Sequence, residues 1–395
     1  MLVSIIDEVF KCIRLREKMQ SKIRVVHIIS QFTCGGMEVV IVNMINSLPT
    51  DKYEHHVISL KKYSDDMDDR LLVKVGIHTV NKKEGKDPGF YLRLRELLRS
   101  IHPDVVNTYN IGTIDCVLSS LFVGSPVRYH SEHGRDVSDP QGINWKYNFL
   151  RKFLSHFFRR YIVVSRELKG WLDSQVKIPQ KKIECIYNGV DTNLFCPRDA
   201  DGKARIKRDI FSVDSFLIGN IGRLDPVKNH DYLLRVFRKY IDLHPDLDVK
   251  LVLIGDGPEK NNIIRLVKNY NLGKHVILPG AMKNIEKILP AFDIYVQSSI
   301  AEGLPMVILE SMSAGVPVIS TDVGGISEII DHEKDGYLVE SNNDEALLYW
   351  LNTLQESVST RNKSSLNARK KIQNIFSLDK MVKEYDRLYS LSREK

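Results

Sequence analysis

The sequence predicts an α/β protein built from two successive domains, each a mostly parallel sheet covered by helices on both faces. The chain has 395 residues, about twice the length of a common single domain. Short apolar runs rich in β-branched residues alternate with helical patterns, which is typical of parallel sheets. The alternation stops at a polar loop after Pro197 and then restarts. Two such sheets predict a cleft between the domains, with ligands at the carboxyl ends of the strands.

An amphipathic segment, residues 1–22, precedes the first domain. Its apolar residues recur at helical spacing beside several basic residues. A cleaved signal peptide is disfavoured because Asp7 and Glu8 interrupt the apolar part. Three interpretations remain: a helix packed on the domain, an extension ahead of a start at Met19, or an interfacial helix on the anionic inner leaflet of a membrane.

The first domain is predicted over residues 23–198, and Gly35 with Gly36 opens its first helix. The second domain is predicted over residues 199–375, followed by a C-terminal helix at 376–395. The first set of strands is expected at residues 23–30, 55–60, 78–80, 104–109, 127–134 and 160–165. The second set is expected at residues 216–224, 249–257, 276–280, 293–299, 317–321 and 336–340.

Composition narrows the classes of function. The net charge of +7 favours an anionic partner, but no basic run with interleaved aromatic residues indicates nucleic-acid binding. No apolar run reaches the length of a membrane span. The five cysteines are scattered, without zinc-ligand spacing, which predicts free thiols, a reducing compartment and no metal site. The sequence also lacks the GxxxxGK[ST] phosphate loop of nucleoside triphosphatases.

The stretch "AEGLPMVILESMSAGVPVIST" holds Glu302 on the loop after a predicted strand and Glu310 inside the next helix. Gly303 allows a ligand to approach the backbone, and Pro305 suits the first helical position. Free N–H groups at this helix start would bind a diphosphate. Glu310 could then accept hydrogen bonds from a ribose, and Glu302 from hydroxyl groups beyond the phosphates.

Two cations lie at a second strand end, in "GRLDPVKNH". Arg223 and Lys228 follow the strand and precede a helix that begins near Asn229. Two cations in this position can clamp a diphosphate and stabilise its charge as the bond to it breaks.

Three further loops are candidates for the cleft. Gly35 and Gly36 either satisfy turn geometry or let a phosphate or sugar approach the backbone. His133, in "SEHGRD", could bind a sugar hydroxyl or relay a proton, with a structural histidine as the alternative. Asn188 and Gly189, in "IYNGVD", form either a cleft-lining loop or a plain turn.

Together these motifs resemble the retaining family 4 glycosyltransferases of the GT-B architecture, in which two Rossmann-like domains face each other across a cleft. The resemblance covers nearly all of the chain after Lys22 and is carried by "GGME", "GRLDPVKNH", "GDGP" and the EGLP…E…AGVPVIST block. "VHIISQFTCGGMEVVIVNMINSLP", "EHGRD…NWKY…LRK" and "IYNGVDTNLFCP" resemble the sugar transferases associated with exosortase-type exopolysaccharide clusters.

The resemblance implies a nucleotide-diphosphate sugar as donor and a glycan or lipid-linked acceptor, without cofactor, metal or nucleic acid. Arg223 and Lys228 would hold the diphosphate, Glu310 the ribose and Glu302 the donor sugar, with the backbone of Gly303 and Leu304 beside them. Gly35, Gly36 and His133 would close over the donor from the first domain, and the last helix would cross back to that domain. A cytoplasmic enzyme at the inner face of the membrane is expected.

Other activities on the same architecture stay open. A sugar-nucleotide epimerase would act on the donor alone, and a glycoside phosphorylase would need free phosphate or a pyridoxal-phosphate lysine. A nucleotide-sugar-binding protein without catalysis is the third alternative.

Overall fold

The computed structural model describes residues 21–33, 35–61, 63–83, 85, 87–136 and 138–393. Residues 1–20, which make up nearly all of the predicted amphipathic segment, lie outside the described residues.

The first sheet has seven parallel strands in the order β3-β2-β1-β4-β5-β6-β7. Its strands are β1 (Ile23–Ile29), β2 (Tyr53–Ser59), β3 (Val75–Thr79), β4 (Val105–Tyr109), β5 (Val127–Glu132), β6 (Arg160–Val163) and β7 (Ile183–Cys185). The helices around it are α1 (Gly36–Ser47), α2 (Phe90–Ile101), α3 (Val117–Ser120), α4 (Trp145–Leu154) and α5 (Arg166–Ser174). Short 3₁₀ helices cover Asp65–Arg70, Ile111–Cys116, Ser155–Phe157 and Gln180–Lys182.

The second sheet has six parallel strands in the order β10-β9-β8-β11-β12-β13. Its strands are β8 (Phe216–Ile221), β9 (Val249–Ile254), β10 (Val276–Gly280), β11 (Ile294–Gln297), β12 (Val318–Thr321) and β13 (Tyr337–Val339). The helices of this part are α6 (Ala200–Phe211), α7 (His230–Leu243), α8 (Lys260–Asn269), α9 (Ile285–Ile288), α10 (Met306–Ser313), α11 (Ile326–Ile329), α12 (Asp344–Glu356), α13 (Val358–Ile375) and α14 (Leu378–Ser390). Further 3₁₀ helices cover Pro226–Lys228 and Leu289–Ala291.

The central strands are buried on both faces. All four residues of β11 and of β12 are buried, as are all five of β4. This burial explains the continuous apolar runs in the sequence, because helices cover both sides of a parallel sheet. The predicted fold of two parallel α/β sheets is therefore confirmed.

Two local predictions need correction. Strand β7 was not predicted, because its three residues are too few to form a recognisable pattern. Pro305 is not the first helical residue: α10 begins at Met306, and Pro305 is the preceding cap residue in an extended conformation. The extended cap lets the chain turn from the loop into the helix.

The last helix, α14, packs against the first sheet, although the two are far apart in the sequence. The hydroxyl of Tyr53 donates to Asp386 at 2.7 Å, and that of Tyr129 donates to the Leu388 carbonyl at 2.9 Å. Tyr389 is fully buried there. Of the described helices, none is both long and apolar enough to cross a membrane.

The chain passes between the sheets twice, and the two passages lie side by side. The Val190 N–H donates to the Phe376 carbonyl, and the Leu378 N–H donates to the Val190 carbonyl, each at 2.9 Å. A side chain at Gly189 would meet Leu378 Cα at 2.8 Å. This paired crossing connects the two sheets.

Candidate active site

Glu302 is the centre of a group of hydrogen bonds at the carboxyl end of β11. Its Oε1 accepts from Lys228 Nζ, Gln297 Nε2 and Ser299 Oγ, each at 2.6 Å. A carboxylate oxygen pair offers about four lone-pair sites. The three donors hold one oxygen in place, which leaves Oε2 available for hydroxyl groups of a ligand.

Lys228 and Arg223 follow β8 but differ in their surroundings. Lys228 is mostly buried and ion-paired with Glu302, and its carbonyl accepts from Ser298 Oγ at 2.8 Å. The Arg223 side chain is 72% exposed and pairs with Asp225 at 3.0 Å. Lys228 is thus largely enclosed beside Glu302, whereas the Arg223 side chain extends mostly into solvent.

His133 and Gly303 meet across the cleft. A side chain at Gly303 would lie 2.1 Å from the His133 carbonyl oxygen, so only glycine fits this contact. The N–H of His133 donates to Asn110 Oδ1 at 2.8 Å.

Neither nitrogen of the buried His133 ring has a hydrogen-bond partner among the described residues. Burial lowers the pKa of His133 to about 4, although the Glu132 carboxylate acts to raise it. The ring is neutral at pH 7 and has one N–H to donate.

Glu310 lies in the second turn of α10 and is 8% exposed. Burial raises the pKa of its carboxyl to about 7, against the lowering effect of the Arg70 charge. Arg70 belongs to the first sheet's part of the chain, so the two sides of the cleft come close here. No side chain in the described part of the chain caps the start of helix α10, and its first N–H groups can therefore bind an anion.

Helix α1 begins at the same cleft, and among the described residues no side chain caps its start either. Gly35 is its cap residue, and a side chain there would lie 2.5 Å from Glu38 Oε2. No atom of the described residues lies within 4 Å of the place where a side chain at Gly36 would project. Burial raises the pKa of Glu38 to about 7, opposed by its own backbone hydrogen bond and by Arg223. Glu38 and Arg223 therefore act on each other from opposite sides of the cleft.

Asn188 and Gly189 lie between the two sheets. Asn188 Nδ2 donates to the Leu304 carbonyl at 2.9 Å, which ties the loop after β7 to the loop that carries Glu302. Leu304 is buried. Gly189 packs against the start of α14. Both residues serve the contact between the domains.

Sequence reasoning missed a second contact between the two sides. Glu328 of α11 accepts from the N–H groups of Arg166 and Glu167, each at 2.9 Å, and from the Tyr187 hydroxyl at 2.8 Å. A carboxylate from one domain thereby caps helix α5 of the other. No motif marks this residue, because the pairing depends on how the domains meet.

The Gly324-Gly325 pair was also given no role from the sequence. Gly324 has φ +59°, and a side chain there would lie 1.9 Å from the Glu302 carbonyl oxygen. The Gly325 N–H donates to the Gly303 carbonyl at 3.0 Å. The two glycines after β12 therefore support the loop of Glu302 and Gly303, and their position after a strand is the signal that could have revealed them.

The arrangement suits an anionic ligand with attached hydroxyl groups. Two uncapped helix starts, two cations and a neutral histidine surround one cleft, with two glutamates as acceptors. Such a site can bind an anionic group and stabilise its negative charge.

Two family models match the chain. Residues 34–194 match the model described as Glycosyltransferase Family 4, and residues 203–371 match the one described as Glycosyl transferases group 1. The two matches fall on the two sheets and together span most of the chain.

Several known proteins are similar over most of their length. The UDP-Gal:alpha-D-GlcNAc-diphosphoundecaprenol alpha-1,3-galactosyltransferase of Escherichia coli is 28% identical over 380 residues, 93% of this chain and 97% of that protein. The N-acetyl-alpha-D-glucosaminyl L-malate synthase of Bacillus anthracis is 30% identical over 325 residues, 80% of this chain and 82% of that protein. The structure of Anabaena Alr3699/HepE with UDP and glucose has a TM-score of 0.82 at 18% identity, covering 93% of this chain and 99% of that one.

Proposed function

The chain belongs to glycosyltransferase family 4, and we propose that it moves a sugar from a nucleotide-diphosphate donor to a lipid-linked or other glycan acceptor, with retention of the anomeric configuration. It is a glycosyltransferase of the GT-B fold. The observation that carries the proposal is the group around Glu302, where Lys228, Gln297 and Ser299 hold one carboxylate oxygen beside the start of α10.

The donor is proposed to lie across the start of α10. Its diphosphate would contact the free N–H groups of that helix together with Lys228 and Arg223, and Glu310 would accept from the ribose. Glu302 Oε2 would accept from hydroxyl groups of the sugar, near the Gly303 backbone. The buried ring of His133 would donate from the opposite domain, and the open space beside Gly36 would admit a phosphate or the acceptor.

We propose that the protein supplies charge stabilisation rather than a covalent nucleophile. The bond between the sugar C1 and the phosphate oxygen breaks, and the acceptor oxygen bonds to C1 from the same face. The acceptor proton passes to the leaving phosphate. Lys228, Arg223 and the helix start stabilise the departing charge, without a metal ion, and preorganised donors of this kind contribute about 10²–10³-fold each.

The acceptor is proposed to be a lipid-diphosphate-linked sugar in cell-surface or exopolysaccharide synthesis. The name of the Escherichia coli relative, a transferase to GlcNAc-diphosphoundecaprenol, supports this class. An enzyme with such an acceptor would work at the cytoplasmic face of the membrane.

The first test is a thermal-shift screen with nucleotide-diphosphate sugars that differ in base and sugar. A donor at about 100 times its dissociation constant should add roughly 2.7 kcal/mol of stability. The absence of any shift would argue against the donor assignment.

The second test is transfer of a labelled sugar to a GlcNAc-diphospho-lipid, with the product's anomeric configuration read by NMR. Glu310→Ala and Lys228→Ala should each lower turnover strongly in folded protein, by about 10²-fold or more for Lys228→Ala, while Lys268→Ala on the exposed side of α8 should not. Product formed from the donor without acceptor would support an epimerase. Donor binding without turnover on any acceptor would support a binding protein.

A further inference from the structure

The first domain carries an unusual row of exposed apolar side chains on and before α4. Ile143, Trp145, Phe149 and Phe153 are 70%, 71%, 64% and 55% exposed; we call these four residues the aromatic stripe. At about 100° per residue, the last three follow one another along one side of the helix. Phe149 and Phe153 stack on each other with ring centroids 6.3 Å apart. Large apolar side chains exposed in one row mark an interaction surface.

Buried contacts on the opposite face of α4 hold the helix so that the aromatic stripe faces solvent. Asn144 caps the helix start by accepting from the N–H of Lys146 at 3.1 Å. Arg151 is fully buried, donates to Glu132 at 2.6 Å and lies over the Trp171 ring. Leu154 is also buried. The helix is therefore firmly attached, and the stripe cannot turn inward without breaking a buried ion pair.

Within residues 138–160, the exposed charged side chains are all basic. Asp139 is the only acidic residue between positions 138 and 160. It is buried and accepts from the N–H groups of Ile143 and Asn144, both at 3.0 Å. Lys146, Lys152 and Arg159 are exposed, and by helical position Lys146 and Lys152 lie on the two borders of the stripe. Aromatic residues flanked by lysines match an anionic bilayer surface, where the rings enter the interface and the lysines meet phosphate groups.

We propose that the aromatic stripe with Lys146, Lys152 and Arg159 is a docking surface for an anionic phospholipid membrane. The stripe lies ten residues after His133 in the chain. Arg135 and Arg151 both lie over the ring of Trp171, so the helix is braced to the loop that forms the cleft. Docking would hold the first domain, with His133, next to the lipid surface. The proposal assigns a surface to the membrane location given under the proposed function, and vesicle binding tests it separately because that binding needs neither donor nor acceptor.

The main experiment is co-sedimentation of the full chain with vesicles of phosphatidylcholine containing phosphatidylglycerol, and with phosphatidylcholine alone. The unsubstituted protein should bind the anionic vesicles more tightly. The triple variant W145S/F149S/F153S should bind at least about tenfold more weakly, because the apolar contacts are lost. The matched control L243S/Y349S/L366S removes equally exposed apolar side chains of the second domain and should bind normally.

A charge-reversal pair tests the basic border. K146E/K152E should weaken binding to anionic vesicles at least roughly 30-fold, since loss of each lysine near the surface costs about fivefold and each new carboxylate is repelled by the anionic lipid. K268E/K370E makes the same change at exposed lysines of α8 and α13 and should have little effect. Circular dichroism and the melting temperature would verify that all variants are folded.

Fluorescence locates the contact independently of the amphipathic segment at residues 1–22, which every variant retains. The chain has three tryptophans, and Trp145 is the exposed one, while Trp171 is buried and Trp350 half-buried. Vesicle binding should shift the emission to shorter wavelength in the unsubstituted protein but not in W145F.

Three results would overturn the proposal. The first is no binding to either vesicle, and the second is unchanged binding by the triple variant or by K146E/K152E. The third is a dimer of the unsubstituted protein that W145S/F149S/F153S dissociates, because the stripe would then serve a second copy of the chain.

Discussion

Glu310 allows a direct test of whether a buried, ionised carboxylate in the cleft lowers the folding stability of the protein. Its carboxyl is buried, and its pKa rises from an ordinary value of 4.5 to about 7. Because the folded state holds the proton more tightly, the unfolded state releases its proton first as the pH rises. Stability therefore falls between pH 4.5 and about pH 7 and stays at the lower level above that range.

The magnitude follows from the size of the shift. A difference of about 2.5 units corresponds to about 3 kcal/mol at pH 8, and to less than about 1 kcal/mol at pH 5. Glu310→Gln has nearly the same shape as the protonated acid and cannot ionise. We expect Glu310→Gln to be more stable than the unsubstituted protein by about 3 kcal/mol at pH 8, with a much smaller difference at pH 5.

The assay is thermal or denaturant unfolding of both proteins at pH 5 and pH 8, without ligand. In parallel, donor binding by the Gln variant should weaken by about 10–100-fold, since a hydrogen bond to a charged acceptor contributes about 1.5–3 kcal/mol. Glu345→Gln, at an exposed position of α12, is the control and should show no pH-dependent gain. Equal stability of Glu310→Gln and the unsubstituted protein at pH 8 would refute the reasoning.

Three other predictions concern the cleft. Lys228→Gln should lower kcat by about 10²–10³-fold through loss of a cation at the leaving group; a steady-state assay measures this, and an unchanged kcat would exclude the role. Gly303→Ala should destabilise the protein and inactivate it, because the new methyl group would meet the His133 carbonyl. Gly36→Ala, with open space around it, should keep full stability; equal melting temperatures for these two glycine variants would contradict the prediction. Glu328→Ala should loosen the contact between the domains and increase the radius of gyration in small-angle scattering, whereas Glu345→Ala should not; an unchanged radius would show that the cap does not hold the domains together.

The strands were predictable because β-branched apolar runs report burial on both faces of a sheet. Every predicted run overlaps an observed strand, from β1 at Ile23–Ile29 to β13 at Tyr337–Val339. The closeness of Lys228 to Glu302 also follows from local information. Both residues lie just after neighbouring parallel strands, β8 and β11, whose carboxyl ends meet at one edge.

The contacts between the two domains could not be predicted from the sequence. The bond from Asn188 to Leu304, the cap by Glu328 and the influence of Arg70 on Glu310 depend on the relative orientation of two sheets. Hydrophobic periodicity describes one helix or strand at a time and carries no information about how the two sheets are oriented. The aromatic stripe was missed for a similar reason: the pattern of α4 is amphipathic, but which apolar residues it buries depends on the surface beneath it.

The return of α14 to the first sheet has a consequence for the order of folding during synthesis. Tyr389 is fully buried against residues that the ribosome makes some 260 residues or more earlier, including Asn107 and Tyr129. The first domain therefore leaves the ribosome with an open apolar face and can be completed only after the whole second domain has been translated. Contacts so distant in sequence form late and leave the intermediate exposed to aggregation. In a chain that stops before α14, the first domain should unfold more easily than the second. This holds although the missing residues follow the second domain in the sequence.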